Sequence, residues 1–511
     1  MLQPRRIGVI PATKLFLLAC ALTLLVIRLP NHIWDPVKST FVLTLGFIAL
    51  WRYLWWTTHF IRSRIYRLLV FPKKRVKAAA VWSDGWRPSF LHFMVVTFRE
   101  QSQTTERMLA SIVEECRSAG IPGRIYIGTG DVSDEQQIEQ YFAANPPDIE
   151  LEAVIVRQNQ TGKRFAIGSV LRAISRYGVG PNDLAIFMDG DTIMDPGLIA
   201  KCAPMFATNQ KLGALTTDER AIVVGPEWVQ SWHDLRFAQR RLAMESHSLS
   251  NKVLTLTGRL SVFRAEIAVN ADFIRTIEAD SLTHWLWGQF RFMSGDDKST
   301  WFWVLRDGWQ MMYVPDASCV TIENIGTSPW ERLKHNLLRW SGNMLRNGTR
   351  AIALGPRRVG PFIWWCLIDQ RISMWTMLTG PIAAVITSLL YGPQALLAYL
   401  VWVACTRLML SCVLFCYADG IYLTFPVLLY LNQLVISIVK VHLLFRLSKQ
   451  RWLNRGDQKS KHQEGQLLIF QRVMASFMTG FYLTLLVFAV AVYSGAIPLP
   501  YLHTLNWMWP R

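Results

Sequence analysis

Charge is sparse in this chain, and acid is the scarcer half of it. Only 18% of the 511 residues are charged, with 36 acidic against 54 basic, while 51% are hydrophobic. A soluble domain carries about a quarter charged residues, so the composition points to an integral membrane protein with room for one sizeable domain beside a helical bundle. The eight cysteines (20, 116, 202, 319, 366, 405, 412, 416) show no CxxC and no Cys/His ligand spacing. That absence predicts neither a disulfide framework nor a zinc motif. The surplus charge of +18 does not form a nucleic-acid face. Its cations gather beside apolar spans (Arg62, Arg64, Arg67, Lys73, Lys74, Arg75, Lys77) and in the loop from Arg446 to Lys461, the distribution that membrane topology and anionic headgroups produce.

Apolar runs frame the chain. Spans are expected at about Ile7 to Leu29 and Phe41 to Trp56, a hairpin turning at Pro30-Asn31 with Arg5 and Arg6 on the inner side. Leu17-Leu18-Ala19-Cys20 looks like a lipoprotein box, but apolar sequence continues to Ile27, which makes the segment an uncleaved anchor. Residues 61–89 alternate basic and apolar positions and predict an amphipathic linker at the membrane interface, its cations toward headgroups. Further spans are expected at about Ser373 to Tyr391, Gln394 to Tyr417, Ile421 to Phe445 and Leu468 to Tyr493. Parity favours re-entry or partial insertion of Ile421 to Phe445, because three full crossings would carry the basic loop after it to the outer side.

Between the apolar ends, residues 90–330 change character. Strand-like runs at Leu91–Phe98, Arg124–Gly128, Leu151–Val156 and Leu184–Met188 alternate with helical patterns, such as Met108, Leu109, Ile112 and Val113. Repeated βα units predict an α/β domain with a mostly parallel sheet, whose ligands sit at the carboxyl ends of the strands. That rule gathers Arg99, Glu100, Asp131, Asp189 and Asp191 around one crevice. Residues 331–372 read as interface helices and 373–511 as the second apolar region.

Four short motifs carry chemistry. Asp189-Gly190-Asp191 leaves a buried strand, and two carboxylates one residue apart suit Mg²⁺ or Mn²⁺ shared with diphosphate oxygens; as an isolated motif it is equally a strand-end turn. Gly295-Asp296-Asp297-Lys298 opens a helix, a position that acidic residues favour in any case but that also holds a carboxylate rigidly enough for a general base. Thr161-Gly162-Lys163-Arg164 precedes a helix and offers two cations to phosphate, or to solvent. In Asn336-Leu337-Leu338-Arg339-Trp340 a guanidinium stands beside an indole, suited to pyrophosphate and to a sugar face.

Together these residues resemble the processive family 2 inverting glycosyltransferases, which include cellulose, chitin and hyaluronan synthases. That family has a metal-binding DxD (Asp189, Asp191), a TED or GED triad supplying the base (Gly295-Asp296-Asp297), a GKR segment (Gly162-Lys163-Arg164) and Q-x-x-R-W (Arg339-Trp340). Asn336 stands where Gln is usual and Asp296 where Glu is. The strings Met293–Trp303, Arg339–Asn347 and Asp369–Trp375 are similar to one branch, the catalytic subunits of bacterial alginate (mannuronan) synthases. The resemblance implies a GT-A-like cytoplasmic domain inserted between transmembrane helices of the bacterial inner membrane. It implies GDP-mannuronic acid as donor, a growing polymannuronate chain as acceptor and a separate cyclic di-GMP-binding membrane subunit, since no PilZ-like sequence is present here.

On that basis Asp297 would be the base, with Asp296 beside it. Glu100, Asp131, Lys163, Arg164 and Arg339 would hold the donor, and Trp340 the acceptor. Lys298 is the candidate contact for a uronate carboxylate, and Arg407 and Lys440 are candidates for lining an export path. A hyaluronan, chitin or cellulose-type synthase using a UDP-sugar, and a non-catalytic export channel or scaffold, stand as alternatives.

Overall fold

Six consecutive residues, Leu91–Val96, form a strand (β1) with every side chain buried, so both faces of the sheet at this point need cover. A computed structural model supplies it. The structure describes residues 9–28, 40–158, 162–325, 328–452, 458–459 and 466–497. Thr161, Arg5, Arg6, the Pro30-Asn31 turn and most of the basic loop beyond Trp452 lie outside the described residues.

β1 pairs in parallel with β2 (Gly123–Thr129) and with β4 (Leu184–Asp189), and β3 (Leu151–Arg157) extends the parallel set beyond β2. All four expected strands are therefore present and adjacent. Past β4 the sheet becomes mixed. β7 (Leu260–Arg264) runs antiparallel to β4 and to β6 (Leu212–Val224), β10 (Gln310–Asn324) is parallel to β6, and β5 (Thr192–Met194) closes the edge. The order is β3-β2-β1-β4-β7-β6-β10-β5. A short hairpin, β8 (Ser281–His284) with β9 (Gly288–Arg291), precedes the GDD motif.

Helix Ser102–Ala119 buries Met108, Leu109, Ile112 and Val113, and helix Lys163–Tyr177 buries Ala166, Ile167, Val170, Leu171 and Ile174. Both sets recur at helical spacing and cover the parallel half of the sheet. At roughly 25 cal/mol per Å² of apolar surface, this layer is the main stabilising term of the domain.

The described chain divides into two units. One holds His59–Ile368 together with the segment from Leu447, and the other holds the apolar helices. Among the described residues five helices are long and apolar enough to cross a membrane: Pro11–Arg28, Pro361–Tyr391, Gln394–Leu414, Phe425–Leu444 and Gln466–Tyr493. This is a membrane protein. The expected span at Phe41–Trp56 falls inside helix Thr40–Ile65, which also carries Arg52, Arg62 and Arg64. Pro361–Tyr391 is one helix of 31 residues, with no break at the expected boundary near 372. Phe425–Leu444, within the stretch for which re-entry or partial insertion is expected, is an unbroken helix of 20 residues. The segment that follows returns to the first unit: Gln450 accepts from Met293 N and donates to Arg291 O, both at 2.9 Å, and Arg346 donates to Leu447 O at 3.0 Å.

The linker is also more firmly tied than a surface helix. Tyr66 and Ala78 are fully buried, and Tyr66 donates to Tyr313 O at 2.7 Å. Arg67 pairs with Glu245 and Arg75 with Asp316, while Lys74 donates to Asn251. These cations face the α/β domain, contrary to the expected direction; Ile61, Leu68, Leu69 and Val76 stay exposed.

Candidate active site

β4 delivers Asp189 at its carboxyl end. Gly190 follows, and a Cβ there would lie 2.7 Å from Thr97 Cβ, so only glycine lets the turn close against the end of β1. Asp191 then sits among carboxylates. Burial first, then Asp189 and Glu100, push its carboxyl well above the usual range. A partly buried acid on which burial and neighbouring carboxylates outweigh the pull of Arg259 fits a hard divalent ion. On one side the site supplies its own cation: Lys163 Nζ is 2.5 Å from Asp189 Oδ1 and 3.1 Å from Asp296 Oδ2. One ammonium thus joins the GKR, DxD and GDD motifs.

The GDD turn is set by Gly295, which adopts φ +82°, with the position its Cβ would take only 2.6 Å from Asn343 Cγ. Asp296 and Asp297 form the first turn of helix Asp296–Asp307. Their environments diverge. Burial raises Asp296, but Lys163 and Arg164 outweigh it and hold the carboxyl low. Burial and then the neighbouring Asp296 push Asp297 up. Adjacent carboxyls driven apart in this way divide the roles, the lowered one favouring its charged form and the raised one better suited to take up a proton.

Arg164 helps to build this turn. It donates to Ile277 O at 2.7 Å, Ser294 O at 2.9 Å and Ser299 Oγ at 3.0 Å, so it acts as a brace where a donor contact was expected. Lys298 is also turned inward. Its Nζ donates to Leu254 O at 2.6 Å and lies 5.5 Å from the Trp301 ring, and burial lowers it to about 8. That placement does not present its ammonium to a sugar carboxylate.

Asp131 lies at the rim. It caps helix Val132–Ala144 by accepting from Ser133 N at 2.9 Å and pairs with Arg99 Nε at 2.6 Å; the Arg99 hydrogen bond, then Ser133, holds it near 2. Glu100 is close enough to raise Asp191. Arg339 reaches Asn336 Oδ1 at 3.3 Å. Burial lowers its pKa, opposed by the pull of Asp297, Asp296 and Asp189, which places the guanidinium in the acids' field.

Trp340 belongs to an arrangement the sequence did not reveal. Its ring is 6.2 Å from Trp232 at an interplanar angle of 16°, and Arg236 Cζ lies 3.9 Å from the Trp340 ring and 4.7 Å from that of Trp232. Trp232, Arg236 and Arg240 share one face of helix Glu227–Ser248 at i, i+4, i+8 spacing, the one signal that was available. A second set, Arg259 with Glu219 at 3.3 Å and with Glu323 at 2.5 Å, is assembled by strand pairing and leaves no local trace. Gly258 faces the centre: a Cβ there would be 3.4 Å from Asp189 Oδ2 and 3.6 Å from Lys163 Nζ.

The sequence pattern of glycosyltransferase like family 2 matches residues 88–343, the region that carries all of these groups. The chain is 39% identical over 435 residues to "Glycosyltransferase alg8" of Pseudomonas syringae pv. tomato, covering 85% of this chain and 88% of that one. To "Glycosyltransferase alg8" of Azotobacter vinelandii it is 36% identical over 473 residues, covering 92% and 93%. Among solved structures, a mannosyltransferase from Pyrobaculum calidifontis in complex with GDP-Man and Mn²⁺ aligns at 17% identity and a TM-score of 0.42, covering 75% of this chain and 98% of that one. With a GT-A-like fold and motifs of the expected kind converging on one crevice, the chain belongs to glycosyltransferase family 2 and is a membrane glycosyltransferase.

Proposed function

We propose that the protein polymerises mannuronate from GDP-mannuronate into a β-1,4-linked chain, the alginate precursor, with its catalytic domain on the cytoplasmic side of the inner membrane. The observation that carries the catalytic reading is the divided Asp296/Asp297 pair, joined through Lys163 to Asp189. The two alg8 relatives support the polymer.

Asp189 and Asp191 would hold Mg²⁺ or Mn²⁺, which when bound neutralises diphosphate charge. Lys163 keeps Asp296 ionised and orders the acids. Asp297 accepts the proton of the acceptor hydroxyl as that oxygen bonds to the anomeric carbon and the bond to GDP breaks; attack from the opposite face inverts an α donor to a β product. Arg339 lies where charge grows on the departing diphosphate. The indoles of Trp232 and Trp340 provide a sugar-stacking surface, and Arg236 between them takes over from Lys298 as the cation for a uronate carboxylate.

Export of the product would involve the apolar helices. There Arg407 lies 5.8 Å from the Tyr430 ring and Lys440 occupies helix Phe425–Leu444. A separate cyclic di-GMP-binding subunit completes the proposal. The test is synthesis by membranes carrying only this chain, supplied with GDP-mannuronate and Mg²⁺ or Mn²⁺. Polymer degraded by a mannuronate-specific lyase is expected; incorporation from UDP-sugars instead would transfer the chain to the hyaluronan, chitin or cellulose type. Absence of both incorporation and donor hydrolysis by purified protein would favour a scaffold.

A further inference from the structure

Away from the acidic cleft, three residues far apart in sequence converge: His59 near the end of helix Thr40–Ile65, His247 near the end of helix Glu227–Ser248, and Cys366 in the first turns of helix Pro361–Tyr391. We propose that His59, His247 and Cys366 form a binding site for a thiophilic divalent cation of the zinc type. One donor atom from each lies within 4.8 Å of the other two. Two such ligands on one tetrahedral zinc sit about 3.5 Å apart, from Zn–N and Zn–S bonds of about 2.0 and 2.3 Å. The Cys366 Sγ to His59 Nε2 distance of 3.9 Å needs little adjustment to meet that.

The surroundings favour ligation over ordinary packing. His59 Nδ1 is 2.9 Å from Ser246 Oγ, the outer-shell hydrogen bond that fixes a ligating imidazole and leaves Nε2 for the metal. His247 is 5% exposed and its Nδ1 is buried without a hydrogen-bond partner, a cost that a metal bond would remove. Burial, then His59, Arg62 and Lys298, keeps His247 well below its usual value, so the ring is neutral, the form that ligates. Cys366 is 4% exposed, and its thiolate would offset half the charge of the ion. The three ligands occupy three of four tetrahedral positions and would fasten the helices that lead into and out of the α/β domain to its longest internal helix. The DxD cluster, with oxygen donors only, selects a harder ion.

The test uses the full chain in detergent micelles or nanodiscs. Zn²⁺ alone is titrated against a chromophoric chelator, and Co²⁺ is substituted and read by absorption. About one zinc per chain should bind in an Asp189→Ala/Asp191→Ala background, where the oxygen site is gone. The cobalt form should show a thiolate-to-cobalt charge-transfer band that Cys366→Ser abolishes. Ser246→Ala should weaken zinc by about 10–100-fold, the usual effect of losing an outer-shell partner, and Ser246→Thr should restore it. A cobalt form of the wild-type chain lacking the charge-transfer band would overturn the proposal, as would Cys366→Ser and His247→Gln chains that retain wild-type zinc affinity. Neither result depends on sugar transfer.

Discussion

The acidic cluster and the aromatic cluster, the two ends of the candidate site, face opposite electrostatic problems. At one end Asp189, Asp191, Asp296 and Asp297 lie close together, and Lys163 bonds two of them, Asp189 and Asp296. At the other, Arg236 lies against the rings of Trp232 and Trp340. The acidic end leaves Asp191 and Asp297 raised above the usual carboxylate range and suits a divalent ion with its diphosphate; the aromatic end holds a cation against sugar-sized surfaces and suits an anionic polymer. On the proposed function the acidic end takes the donor and the aromatic end the acceptor, and that division can be broken from either side.

The largest effect is expected at Asp297. Asp297→Asn keeps the shape and loses the base, so polymer synthesis should fall by about 10²- to 10⁴-fold while GDP binding to membranes stays near normal; a normal rate of synthesis would remove Asp297 from its role. Next, Asp191→Ala should weaken metal-dependent donor binding by at least about tenfold, given that even outer-shell losses cost about 10–100-fold. Donor titration with and without a chelator measures it, and an unchanged metal requirement would count against the acidic end.

The aromatic end should respond more mildly and differently. Arg236→Met forfeits one charge-assisted hydrogen bond, about 1.5–3 kcal/mol, equivalent to about 10- to 150-fold in acceptor use. Donor hydrolysis without acceptor should stay near wild type. Loss of donor hydrolysis along with elongation would erase the distinction between the two ends.

A last effect, on stability and not on activity, concerns Lys298. Its folded-state pKa of about 8 lies below the usual 10.5, so the fold penalises the charged form. Its favourable contribution is therefore present above pH 10.5 and lost as pH falls through 8, a swing of about 3 kcal/mol. Relative to Lys298→Met, the wild-type protein should gain thermal stability between pH 8 and 10.5. Parallel stability profiles would show that Lys298 is not buried as an ammonium.

Legibility in the sequence followed the range of each interaction. β1 to β4 are buried apolar runs bounded by turn residues, so local pattern was sufficient. Asp189 and Asp297 were legible because a strand end and a helix start are local events. The backbone oxygens that Arg164 and Lys298 bond had no signal, because the first residues of a helix fix a Cα position and not where a long cation reaches. Arg67 and Arg75 were directed toward headgroups because Glu245 and Asp316, their partners, are brought near only by the fold. The Arg259–Glu219–Glu323 set depends on strand pairing and had no signal at all.

Gln450 carries a further consequence. Its side-chain amide spans Arg291 O and Met293 N, and Ser294, the next residue, is gripped by Arg164 and by Asn343. The stretch immediately before the GDD motif is thus clamped to the segment where the chain returns from helix Phe425–Leu444. Any displacement of that segment must either drag Met293 with it or break both amide bonds. The turn that carries Asp297 is in this sense anchored by a residue far later in the chain, so its shape depends on that late segment being in place.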